Sequence, residues 1–121
     1  MKVISTEKAP AAIGPYSQAI MVDGVLFTSG QIPLNPATGS VAGSDIETQT
    51  EQVMRNLSAV LKEAGMDFEN VVKTTCFIAN MEYFSAFNQI YSKYFVSKPA
   101  RSCVEVSRLP KNVLVEVELI A

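Results

Sequence analysis

The sequence predicts an α+β fold of about six strands and two helices, with both helices packed on one face of the sheet. Three observations carry this. Strand-period and helix-period apolar patterns follow one another in the order β-ββ-α-β-α-ββ, with no repeat and no linker. The length of 121 residues suits one domain over residues 1–121 and leaves no room for a second core. Several strands are apolar on both sides, whereas two helices can cover only one side. The second face is therefore expected to meet another subunit.

Residues 2–5 read as a short strand. Residues 9–16, Ala-Pro-Ala-Ala-Ile-Gly-Pro-Tyr, are broken by two prolines and a glycine and form a loop. Residues 17–22 and 25–29 are β-rich and are joined by Asp23-Gly24, a two-residue hairpin signal. In Ser29-Gly30-Gln31, Gly30 either ends that strand or marks a bulge or a close approach of another group to the backbone. A loop over 34–43 precedes the strongest helix. Ser44 and Glu47 make a capping-box signature, and Gly65 sits where a C-cap glycine belongs. Between them Ile46, Thr50, Val53, Met54, Leu57, Val60, Leu61 and Ala64 recur at steps of three and four, which is one buried face.

Residues 71–79 form a strand covered on both sides, with Val72, Cys76 and Ile78 on one face and Val71, Phe77 and Ala79 on the other. Asn80 caps a second helix, whose Phe84, Phe87, Tyr91 and Tyr94 or Phe95 form an aromatic core stripe. Asn88 lies off that stripe, available to solvent, a neighbour or a ligand. Residues 101–107 and 113–120 read as a hairpin closed by Leu109-Pro110-Lys111-Asn112. In the first of these strands Val104 and Val106 form an apolar comb toward a core, and Arg101 and Cys103 point the other way. Hairpin register would then gather Arg101, Cys103, Glu116 and Glu118 on one face and spare the glutamates burial among valines.

Composition limits the chemistry. A net charge of −2 argues against a surface built to bind nucleic acid, which works by counterion release at a basic face. No stretch approaches the ~20 apolar residues of a membrane span, and the N-terminus lacks the apolar run of a signal peptide, so a cytoplasmic location is expected. There is no histidine, and the two cysteines are not in a Cys-x-x-Cys spacing. The common zinc patterns and Ser-His or Cys-His nucleophile pairs are thereby excluded. Arg101, on rigid backbone with little charge beside it, suits a planar carboxylate. The competing reading is a structural ion pair between Arg101 and Glu116 at a subunit interface.

With these residues placed, the chain resembles the RidA family, also called YjgF, nearly end to end. The marks are residues 9–18 (Ala-Pro-Ala-Ala-Ile-Gly-Pro-Tyr-Ser-Gln), 28–33 (Thr-Ser-Gly-Gln-Ile-Pro), 72–75 (Val-Lys-Thr-Thr), 99–106 (Pro-Ala-Arg-Ser-Cys-Val-Glu-Val), 108–111 (Arg-Leu-Pro-Lys) and 115–118 (Val-Glu-Val-Glu). The resemblance implies a chorismate-mutase-like fold with a six-stranded mixed sheet, and a homotrimer with a barrel-like core and sites at subunit interfaces. It implies hydrolysis of 2-imino acids to 2-oxo acids and ammonia, with no metal or organic cofactor. By position, Arg101 corresponds to the carboxylate clamp, Glu116 to the acid that activates water, and Cys103 to a residue of the pocket wall. Tyr16, Ser29, Gly30, Gln31 and Asn88 fall at or beside substrate-binding positions. The segment Tyr94-Phe95-Val96-Ser97-Lys98-Pro99 is shorter than its counterpart in many relatives, which bears on the pocket rim and on substrate size. Relatives have also been linked to ribonuclease, chaperone-like and regulatory roles. A non-catalytic 2-oxo-acid binding or regulatory protein of the same family is the alternative to an enzyme.

Overall fold

In the computed structural model, which describes residues 1–121, the strand patterns become β1 (Lys2–Ile4), β2 (Ala19–Val22), β3 (Val25–Thr28), β4 (Lys73–Ile78), β5 (Ala100–Glu105) and β6 (Val115–Ile120). They form one six-stranded mixed sheet in the order β1-β2-β3-β6-β4-β5, parallel only between β4 and β5. The helices are α1 (Ile46–Glu63) and α2 (Phe84–Tyr94). Their buried faces and one side of the sheet make a single core that includes Val53, Leu57, Leu61, Cys76, Ile78, Phe87, Val115 and Val117.

Local chemistry explains the boundaries. Asp23 and Gly24 both take left-handed backbone angles, as a two-residue hairpin turn requires. The cap of α1 is Asp45, one residue later than the Ser44 signature suggests: its carboxylate accepts from the Thr48 amide at 2.8 Å. At the other end Gly65, with φ +74°, donates to Lys62 O while Met66 donates to Leu61 O, a Schellman closure that only a left-handed residue completes without strain. Asn80 caps a short 3₁₀ turn, Met81–Tyr83, that leads into α2. The start of the fourth strand differs from expectation. Val71 is buried and Val72 is 60% exposed, because the pleat begins only at Lys73, after the 3₁₀ turn Phe68–Asn70.

The main correction concerns β5 and β6, which do not pair. β4 lies between them, antiparallel to β6 and parallel to β5. The loop 106–114, with left-handed Lys111 and Asn112, carries the chain across the end of β4. Two amphipathic strands around a short connection resemble a hairpin, but β4 inserts between them and takes a partner along each of its edges.

Orientation is also reversed from the apolar-comb reading. Arg101 and Cys103 are Cα partners of Thr74 and Cys76, whose side chains are buried on the helix-covered face. Val104 points to the bare face and is 46% exposed. Glu116 and Glu118 pair with Phe77 and Thr75, also on the bare face. Arg101 and Glu116 therefore lie on opposite sides of the sheet. They neither share a face nor form an ion pair within the chain; the one salt bridge present joins Lys93 and Glu51.

Candidate active site

The Arg101 half of the site is built by β5 and α2. Arg101 Nη1 donates to Asn88 Oδ1 at 2.7 Å. Its guanidinium carbon stands 5.2 Å from the Phe84 ring centre and 4.8 Å from that of Tyr91, within cation–π range of both. Phe84, Asn88 and Tyr91 follow one another at steps of four and three, so Asn88 lies on the aromatic strip of α2, not off it. The Tyr91 hydroxyl is hydrogen-bonded to Thr74 Oγ1 at 2.7 Å, which locks the ring. Burial, more than any other influence, pushes that hydroxyl's pKa up, so Tyr91 stays neutral. A cavity of about 300 Å³ opens beside Arg101, lined also by Asn88, Tyr91, Phe95, Lys98 and Pro99. A fork held by stacking and one hydrogen bond, with no carboxylate partner of its own, is preorganised for a planar anion.

The Glu116 half lies on the other face. Between the pairings Phe27 with Ile120 and Gln31 with Val117 the register slips by one residue, so the segment at Ser29-Gly30 is a bulge. Thr28 Oγ1 accepts from the Leu119 amide across it. The bulge presses Gly30 onto Glu116: a Cβ at position 30 would collide with the carboxylate. Of the three readings of Gly30, bulge and close approach both hold. Ser29 Oγ donates to Ser17 O at 2.6 Å, and Gln31 is buried with its backbone bonded to Val117. Tyr16, Ser29, Gly30, Ile32, Pro110 and Glu116 line a cavity of about 460 Å³. Burial, and secondarily the charge of Glu118, raises the Glu116 pKa above its ordinary value.

The chain thus gathers the expected residues into two groups. Arg101, Cys103 and Asn88 are on the helix side, and Tyr16, Ser29, Gly30 and Glu116 are on the bare side. Gln31 supports the second group through its backbone without lining the cavity. Phe84, Tyr91, Lys98 and Pro110 were not among the expected site residues. The signal for the first two was present in their four-and-three spacing around Asn88. No group of three or more His, Cys, Asp or Glu side chains is placed to hold a metal ion. No helix is long and apolar enough to cross a membrane.

Comparison with known proteins agrees with this architecture. Residues 6–121 match the family described as Endoribonuclease L-PSP. The chain is 63% identical to the putative regulator AldR of Lactococcus lactis, covering 100% of this chain and 97% of that protein. It is 50% identical to the 2-iminobutanoate/2-iminopropanoate deaminase of Mus musculus, covering 99% of this chain and 90% of that one. The crystal structure of the YjgF gene product of E. coli superposes with a TM-score of 0.95 at 45% identity, covering 100% and 98% of the two chains.

Proposed function

Because the chain belongs to the RidA (YjgF) family, we propose that it hydrolyses 2-imino acids, such as 2-iminobutanoate and 2-iminopropanoate, to 2-oxo acids and ammonia. The observation that carries this reading is the Arg101 guanidinium, held by Asn88, Phe84 and Tyr91 and lacking any carboxylate partner in its own chain. A bidentate contact to the substrate carboxylate contributes about 1.5–3 kcal/mol as a charged hydrogen bond.

The imine carbon is already electrophilic when its nitrogen is protonated, so one oriented water suffices. Glu116 accepts the water's proton as the oxygen bonds to carbon, forming a carbinolamine. The same carboxyl returns that proton to nitrogen as the C–N bond breaks and ammonia leaves; the carbinolamine oxygen becomes the C=O of the 2-oxo acid, and its hydroxyl proton passes to the Glu116 carboxylate and on to solvent. Partial burial that raises the Glu116 pKa suits both halves of this cycle. Cys103, two residues from Arg101 on the same face but outside the lining of the Arg101 cavity, belongs in this reading to the pocket wall completed by the neighbouring protomer.

One small substrate cannot reach both faces of a single sheet. In this proposal the complete site takes Arg101, Cys103 and Asn88 from one protomer, and Tyr16, Ser29, Gly30 and Glu116 from its neighbour in a homotrimer. The exposed apolar residues on the bare face, Val3, Val25, Phe27 and Val104, support such an assembly. A cytoplasmic location would place the protein beside enzymes that release imines. The relative called a putative regulator favours a second reading, 2-oxo-acid binding without turnover. The endoribonuclease name carried by the family fits this chain less well, given its net charge of −2 and lack of histidine.

The deciding experiment follows the loss of 2-iminobutanoate generated in situ by an amino-acid oxidase, with semicarbazide trapping what remains. Faster loss with the protein and none with Arg101→Ala is the expected result. No acceleration by the folded oligomer would leave the binding reading.

A further inference from the structure

Cys76 and Cys103 are Cα partners on the adjacent parallel strands β4 and β5, with both side chains on the helix-covered face. Neighbouring strands run about 4.7–4.9 Å apart, inside the roughly 4.4–6.8 Å of Cα separation that a disulfide spans. Both thiols are free. Their settings differ. Cys76 is completely buried, and its S–H donates to Thr74 Oγ1 at 3.8 Å. The neighbouring Cys103, and then burial, hold Cys76 protonated. Cys103 is half-buried and two residues from Arg101 on the same face. The adjacent Cys76 thiol, helped by the guanidinium charge and opposed by partial burial, lowers its pKa to about 7.

We propose that Cys103 is an oxidative modification site for hydrogen peroxide, and that Cys76 resolves it into an intrachain disulfide between β4 and β5. In the first step the Cys103 thiolate attacks one peroxide oxygen, the O–O bond breaks, and hydroxide leaves; the product is a sulfenic acid. In the second step the Cys76 sulfur attacks the Cys103 sulfur, the S–O bond breaks, and the departing hydroxide takes the Cys76 proton. Two thiols are oxidised and one peroxide is reduced to two waters. Cys103 is only half-buried, so a dithiol can reach the disulfide and reverse it. It would bind an edge strand to its neighbour immediately beside Arg101. This chemistry does not depend on the imine reaction.

The test uses the intact native protein and hydrogen peroxide, with thiols counted after denaturation and masses measured on whole chains. Wild type is expected to lose both thiols and two hydrogens of mass, to remain a single chain on a non-reducing denaturing gel, and to recover with dithiothreitol. Cys76→Ser, or Cys76→Ala should the serine variant misfold, is expected to stop at one added oxygen that dimedone captures. Cys103→Ser should react at least about tenfold more slowly. Three outcomes would overturn the proposal: oxygen accumulating on wild-type Cys103 with no disulfide, cross-linking between chains, or Cys103→Ser oxidised as fast as wild type.

Discussion

Arg101 is held on three sides by Asn88, Phe84 and Tyr91, and it is the planar geometry of the guanidinium that this setting fixes. Arg101→Lys keeps the charge but loses the fork and most of the stacking. We expect it to abolish most imine hydrolysis while leaving the oligomer intact by gel filtration; near-normal turnover would refute the clamp. Glu116 must be ionised to accept a proton from water, and its pKa lies above the ordinary 4.5. The rate should therefore fall on the acid side at a pH above that value, and Glu116→Gln should retain 2-oxo-acid binding while losing most turnover. The stability sign runs the other way. A carboxyl whose pKa is raised on folding favours the native state while protonated, and that contribution is lost as pH rises through the folded value. Glu116→Gln should thus raise the melting temperature at neutral pH and leave it unchanged below pH 4.5. At this scale the residue types of the site were legible in the sequence. Which side of the sheet each one occupies was not, because alternation groups residues by face without saying which face is covered.

At the scale of elements, the bulge at Ser29-Gly30 is the feature that brings a backbone against the Glu116 carboxylate. Gly30→Ala should cost about 1–3 kcal/mol of stability by overpacking and reduce activity more than binding; chemical denaturation and kinetics together check it. A variant as stable and active as wild type would mean that Glu116 can swing away freely. Helix α1 and the β2–β3 hairpin were readable because their signals are local: heptad-like apolar spacing, a closing glycine, an Asp-Gly turn. The β5–β6 pairing was misread for the opposite reason. Nothing within residues 99–120 records that β4, some twenty residues earlier in the chain, lies between them; that is a property of the whole sheet.

For the whole molecule, the segregation of Arg101 and Glu116 to opposite faces makes a direct prediction about assembly. Arg101→Ala and Glu116→Gln protomers, each inactive alone, should recover activity when unfolded together and refolded. In a randomly mixed cyclic trimer about a quarter of the interfaces would carry both intact residues, so about a quarter of wild-type activity is expected. Recovery of none, with mixed oligomers present by mass spectrometry, would place the whole site in one chain.

The position of β6 has a consequence for biosynthesis. It follows the other five strands in the chain, yet it is seated between β3 and β4. Until it emerges from the ribosome, the β1–β3 meander and the β4–α2–β5 unit have no strand in common, and each presents an open edge. A nascent chain paused just before Val115 would carry two unpartnered strand edges and leave bare the part of α1 that β6 covers, which is the condition under which neighbouring polypeptides aggregate. Residues 115–120 thus govern whether the sheet closes on itself or on another chain.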